Sequence, residues 1–273
     1  MNLSTRGSYF TIDQIKYVQE NLKPIKLSGI RRNNKSDLVN EDEKRNLRSC
    51  IGKLLWLVNQ TRPDLGFETS VAASKVNNAT VSELLEMNKL VKKAKATDIE
   101  LKIPKLNNLE NAKLLVFSDA SFGNVSNGGS QAGYVVLVVD DERNCVVIHW
   151  GSHRIKRVVR SVLAAETMAM SDAVDMAYVI NVMLSDMIFS DGRRLKIVCY
   201  TDSHSLSDAI RTSNTTKEKR LLIDIAALRE AKDKEEIEVK WIETQKNIAN
   251  PLTKKTPDST SLMRVLNEGR IDC

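Results

Sequence analysis

Three acidic residues, Asp119, Glu166 and Asp202, stand beside apolar runs, where a charge is costly unless something compensates it. Asp119 closes "KLLVFSD" just before the turn-like "ASFGNVSNGGS", Asp202 closes "LKIVCYTD", and Glu166 lies near the start of "SVLAAETMAMSDAVDMAYVINVMLSDM". Each has an ordinary structural explanation. Asp119 can be a turn former and Asp202 a helix N-cap. Glu166 can be half-solvated at the rim, or paired with Arg154 or Arg157. One further explanation joins all three. If the two aspartate-bearing strands are parallel neighbours, both acids emerge at the same carboxyl edge, where open α/β sheets hold ligands. Glu166 could reach the same place. Three acids there repel one another unless a cation compensates. Oxygen-only donors select Mg²⁺ or Mn²⁺ over zinc. Paired ions of that kind serve phosphodiester cleavage by activating water and stabilising the leaving oxygen.

The elements that must position these acids fall into two parts. The first hundred residues read mostly as helix. "TIDQIKYVQENL" has Ile12, Ile15, Tyr17, Val18 and Leu22 near helical spacing. "NEDEKRNLRSCIGKLLWLVNQTRPDLGF" begins with a cap-like Asn40 and is interrupted at Pro63. "TVSELLEMNKLVKKAK" opens with a capping box from Thr80 to Glu83. "TRPD" reads as a structural turn with an Arg62 salt bridge, and residues 103–111 read as a linker. Beyond them, "KLLVFSD", "QAGYVVLVVD" and "CVVIHW" read as three strands in a row, with a hairpin across "DERN". A long helix (161–187), a strand (195–202), two helices, a strand (236–243) and a helix at "NPLTKK" follow. In that last helix Asn250 would be the N-cap and Pro251 the first helical residue. A short helix ends the chain. At about 100° per residue, Glu166 shares a face of the long helix with Val162, Ala169, Ala173, Ala177 and Ile180, pointing toward the sheet. The expected architecture is a mixed α/β sheet with flanking helices after a mostly helical N-terminal segment.

Composition narrows the setting. The net charge of +6 lies in the first part, since residues 1–110 carry 19 Lys+Arg against 13 Asp+Glu while residues 111–273 carry 22 of each. A basic excess suits an anionic partner such as nucleic acid, and equally a soluble basic surface. The four cysteines, Cys50, Cys145, Cys199 and Cys273, are widely spaced without any C-x-x-C, so neither a zinc site nor a disulfide framework is implied. Cys145 and Cys199 lie in apolar runs and read as core. No signal-peptide-like or membrane-spanning run stands out, and the expectation is an intracellular protein, cytoplasmic, with the nucleus as the alternative.

"FSDAS", "SVLAAET", "YTDS" and "NIANPLTKK", in this order, resemble the ribonuclease H domain of copia-type retrotransposon polyproteins. "RSCIGKLLWLVNQTRPDLGF" resembles the stretch that follows the reverse transcriptase palm in the same polyproteins, and "YFTIDQIKYVQENL" a worn version of the segment before it. The resemblance implies a five-stranded sheet with three antiparallel strands and two parallel additions. It implies two divalent metals, Mg²⁺ or Mn²⁺, and hydrolysis of the RNA strand in an RNA–DNA hybrid. Asp119, Glu166 and Asp202 match the family's first three acids. The implied division is 1–110 as a helical remnant of the reverse transcriptase C-terminal (thumb- or connection-like) region, 111–258 as the ribonuclease H-like domain, and 259–273 as a short terminal helix and tail. Other parts of such a polyprotein are further expected partners.

The family's fourth acid lies in an A-D-x-x-T-K context, and here that position is Asn250. An amide oxygen can ligate but brings no negative charge. The expectation is weaker metal affinity and slower cleavage. "HRIKRVVRS" supplies Arg154, Lys156, Arg157 and Arg160, either as phosphate contacts for a hybrid or as a solvated turn. Trp150 reads as core, and His204 as an ordinary helix-start histidine. No Y-x-D-D occurs, so polymerase activity is not expected. Two rivals to a hybrid-cleaving endoribonuclease remain open: a non-catalytic nucleic-acid-binding or assembly remnant, and another metal nuclease or integrase-like member of the fold.

Overall fold

A two-residue turn sets the first elements. Gly7, at φ +63°, reverses the chain between β1 (Asn2–Arg6) and β2 (Tyr9–Asp13), which pair antiparallel with Arg6 opposite Tyr9. β2 pairs in turn with the distant β3 (Glu100–Pro104). The computed structural model describes residues 1–125, 128–212, 218–255 and 259–272. The expected boundary at residue 258, the start of the segment beginning at Lys217, and Cys273 lie outside the described residues. This three-stranded sheet corrects two expectations. "TIDQIKYVQENL" is helical only from Ile15 to Asn21 (α1), because Thr11 and Asp13 are buried while Phe10 is exposed, a period of two. Asp13 then accepts a hydrogen bond from the Ile15 amide at 2.9 Å as the helix begins. Residues 103–111 are likewise not a plain linker: β3 occupies the first of them, and Leu109–Asn111 form a 3-10 turn.

The N-terminal helices are α2 (Gly29–Asn33), α3 (Glu41–Gln60), α4 (Gly66–Lys75) and α5 (Val81–Ala96). The Asn40 side chain accepts from the Glu43 amide at 2.8 Å, and Glu43 accepts from the Asn40 amide at 2.9 Å, a reciprocal cap that starts α3 where the sequence indicates. Leu47, Leu54, Leu57, Leu84 and Met87 lock α3 and α5 into one buried cluster. Arg62 and Asp64 form a buried bidentate pair at 2.9 Å. Arg62 also donates to the carbonyls of Ala94 and Thr97, both at 3.0 Å, tying the end of α3 to the end of α5.

The central sheet holds β4 (Lys113–Val125), β5 (Gly129–Val139), β6 (Cys145–Arg154), β7 (Lys196–Thr201) and β8 (Ile237–Trp241) in the order β6-β5-β4-β7-β8. The first three are antiparallel, and β7 and β8 are added parallel. β4 runs six residues beyond the strand read at 113–119. Its apolar run is nearly continuous because both faces are covered. Leu114 and Val116 face α6 (Val162–Ile188), α7 (His204–Arg211) and α8 (Lys219–Asp233). Leu115 and Phe117 face β3, residues Ile248–Leu252 and α9 (Thr260–Glu268), which buries Leu262, Val265 and Leu266. Asp140 accepts from the Glu142 and Asn144 amides and closes the β5–β6 hairpin, with Arg143 at φ +69°.

The N-terminal helices are bound to this sheet. Trp150 donates its indole N–H to the Val58 carbonyl at 2.8 Å, so it is a tether between the parts as well as a packing residue. Gln131 donates to Ser70 Oγ at 3.0 Å. Asp64→Ala would leave the Arg62 guanidinium buried without its carboxylate. Urea unfolding is expected to show a loss of about 3–5 kcal/mol, far more than an exposed pair such as Arg45–Asp42 yields when broken.

Candidate metal centre

The parallel pairing of β4 with β7 places Phe117 opposite Tyr200. Two residues further along each strand come Asp119 and Asp202, at the same carboxyl edge. Glu166 arrives from the first turns of α6, which starts there because Ser161 caps it by accepting from the Ala164 amide at 3.1 Å. One carboxylate oxygen from each of Asp119, Glu166 and Asp202 lies within 4.8 Å of the others. Asp119 and Glu166 are buried and Asp202 half-buried. Asp202 is not the cap of α7, and Glu166 is buried and not half-solvated. Ser203 caps α7 in place of Asp202. Arg157 turns away from Glu166 to Asp224, at 3.2 Å.

The segment after β8 completes the corner with residues the sequence reading did not single out. Asn247 donates to the Ser118 carbonyl at 2.9 Å and to Asp202 Oδ1 at 3.1 Å, bridging the two aspartate strands. Thr253 donates its hydroxyl to Asp119 Oδ2, and the Lys254 ammonium stands 3.6 Å from the same oxygen. On the outer side Trp241 donates to the Asp202 carbonyl at 3.1 Å and stacks on His204, with ring centroids 4.4 Å apart. Asn250 differs from its expected place. It is the first residue of a 3-10 turn, Asn250–Leu252, preceded by Ala249, and not the cap of a helix. Its Nδ2 donates to the Thr244 carbonyl at 2.5 Å, leaving Oδ1 as the uncommitted pole.

The donor set suits a hard divalent cation. It contains oxygens only, with no His or Cys in the cluster. One of its buried oxygens, Glu166 Oε2, has no hydrogen-bond partner among the described residues, and neither has Asn250 Oδ1 in the segment after β8. A buried carboxylate oxygen without a partner is costly unless something positive meets it. The basic residues of 153–161 have different surroundings. Arg154 lies across Gly129 on β5, Arg157 is held by Asp224, and Lys156 and Arg160 are exposed and form no ion pair among the described residues.

No family model matches the chain. The Transposon Ty1-JR2 and Ty1-BL Gag-Pol polyproteins of Saccharomyces cerevisiae are each 31% identical to it over 150 residues, 54% of this chain. The chain is similar to the Gag-Pol polyproteins of copia-type retrotransposons. It spans about 8% of the length of those relatives. Among solved structures, a ribonuclease H1 isolated from compost is 19% identical, covering 52% of this chain and 92% of that one with a TM-score of 0.39. A foamy viral protease-reverse transcriptase solved with an RNA/DNA hybrid is 11% identical, covering 94% of this chain and 31% of that one with a TM-score of 0.47. The fold is α/β, with the five-stranded mixed sheet and flanking helices described above.

Burial dominates the electrostatics of this acidic centre. It pushes the Glu166 carboxyl up to about 9, and the charges of Asp119 and Asp202 add to the rise. Burial also raises Asp119, to about 6, against the pull of Lys254 and Thr253. Both folded values exceed the unfolded ones, so between the ordinary carboxylate range and pH 9 the folded metal-free protein holds protons that the unfolded chain has released. Its stability therefore falls as pH rises through that window. The thermal midpoint of metal-free protein is expected to drop between pH 6 and pH 8, and Glu166→Gln to flatten the drop. Mg²⁺ should raise the midpoint more at pH 8 than at pH 6, because protons compete for the same oxygens. An unchanged pH slope in Glu166→Gln would show that this carboxyl is not the group responsible.

Proposed function

We propose that the chain is a metal-dependent endoribonuclease acting on the RNA strand of RNA–DNA hybrids. The observation that carries this reading is the meeting of Asp119, Glu166 and Asp202 through oxygens within 4.8 Å, at the sheet edge where ligands of open α/β sheets sit. In this proposal the three carboxylates hold Mg²⁺ or Mn²⁺, and the Asn250 carbonyl oxygen is a weakened fourth donor. When bound, divalent cations supply the Lewis acidity that phosphodiester hydrolysis by water requires. No protein nucleophile is invoked. Glu166, held by the Ala120 amide and left with one unpartnered oxygen, orients the cluster from the helix side. Asn247 fixes Asp202 relative to β4, and Thr253 fixes Asp119.

Lys156 and Arg160, exposed beside the start of α6, are the cations best placed to meet phosphates of the hybrid. Arg157 would first have to leave Asp224. Arg154 is kept as a fourth phosphate contact. Residues 1–110 are read as the C-terminal remnant of a reverse transcriptase, and the chain as part of a longer polyprotein. Asn250 favours a second reading, an inactive hybrid-binding remnant, because it removes one negative charge from the expected ligand set.

A labelled RNA–DNA hybrid offered with Mg²⁺ and with Mn²⁺ separates the two. The enzyme reading expects cleavage of the RNA strand that falls by roughly a hundredfold or more in Asp119→Asn. Binding without cleavage in either metal would establish the remnant instead. Lys156→Ala and Arg160→Ala are each expected to weaken hybrid binding and to lower the dependence of log K on log salt by about one.

A further inference from the structure

Resting on the reading of this corner as a cation site, we propose that the Lys254 ammonium takes the place of a second divalent cation, so that the site binds a single divalent ion. The first ground is position. Lys254 Nζ lies 3.6 Å from Asp119 Oδ2, the oxygen that also accepts the Thr253 hydroxyl. That oxygen is therefore already met by two donors of the protein itself, whereas Glu166 Oε2 has none among the described residues. The second ground is charge. Asp119, Glu166 and Asp202 carry three negative charges when ionised, and Asn250 carries none. The ammonium neutralises one of the three and leaves two, the charge of one divalent ion. A second ion near Asp119 would face an ammonium within a few ångströms, with no fourth carboxylate to offset the repulsion.

The third ground is that the backbone leading into Lys254 is held in place. Gly133 is paired directly opposite Asp119 on β5. A Cβ at Gly133 would come within 2.7 Å of both Leu252 Cβ and Thr253 Cγ2, so glycine is what lets the segment carrying Lys254 lie flat against the strand. Ser152 Oγ donates to the Leu252 carbonyl at 2.6 Å, and Gly66 of α4 abuts both Ser152 and Leu252. The lysine stem thus leaves a backbone fixed on three sides. Its side chain is 40% exposed, which lets it be changed without opening the core. Lys254 acts on the site through Asp119, as a positioning residue.

Mn²⁺ binding to the full chain, followed by calorimetry and by the electron paramagnetic resonance of free Mn²⁺, tests this without any nucleic acid. Wild type and Lys254→Arg are expected to bind one Mn²⁺ per chain. Lys254→Met and Asn250→Asp are expected to reveal a second ion, bound roughly tenfold or more tightly than any second event in wild type. Circular dichroism and thermal melting identify a variant that has failed to fold, and Asn250→Asp then remains as the independent arm. Two ions of similar affinity in wild type, or a single ion in both folded Lys254→Met and Asn250→Asp, would overturn the role given to Lys254 while leaving the cation site standing. Absence of any Mn²⁺ binding by wild type would overturn the site itself.

Discussion

Crowding three carboxylates into a dry corner is the constraint around which this molecule is organised. Charges so placed repel one another and lose their hydration, and nothing in the hydrophobic core offsets either cost. The structure answers from every side. β4 and β7 bring two of the acids to one edge, α6 delivers the third, and the segment after β8 lays an amide, a hydroxyl and an ammonium against them. The scaffold can sustain such a corner because the rest of the sheet is buried on both faces by apolar side chains. Strain of this kind is tolerated at functional sites when the surroundings over-determine it.

The N-terminal helices belong to that surrounding support. Through Gly66 and Ser152 they press on Leu252, the neighbour of Thr253. Through Trp150 and Val58 they are fastened to β6, and through Gln131 and Ser70 to β5. An N-terminal segment bound in this way is a buttress for the acidic corner, not a passenger. The buried Arg62–Asp64 pair keeps that buttress rigid by joining its two longest helices.

Much of this could be read from residues alone, for definite physical reasons. The five strands of the central sheet are short apolar runs bounded by turn residues, and their order is written in the alternation of strand and long helix. Glu166 declared itself by lying on the apolar face of α6. The N-terminal sheet was hidden because "YFTID" is too short for a period of two to outweigh the helical spacing that continues into α1. Its partner β3 lies some ninety residues away, and such non-local pairing leaves no local trace. Asn250 could be located by its motif but not oriented, since proline in the next position fits either a helix start or a 3-10 turn. Thr253 and Lys254 carry no periodic signal. Their meaning depends on Gly133, a residue on another strand whose missing side chain makes the approach possible.

The link between Thr253 and Asp119 spans 134 residues. A chain made from its N-terminus presents the aspartate long before the group that answers it. During synthesis the β4–β5–β6 meander has only local pairings to satisfy. The acidic corner must wait for the segment carrying Thr253 to emerge, because loop closure over such a span has to precede the contact that rewards it. Until then one edge of a largely formed sheet stays open and charged. That edge is closed only when the residues around Thr253 have been made and can fold back onto β4.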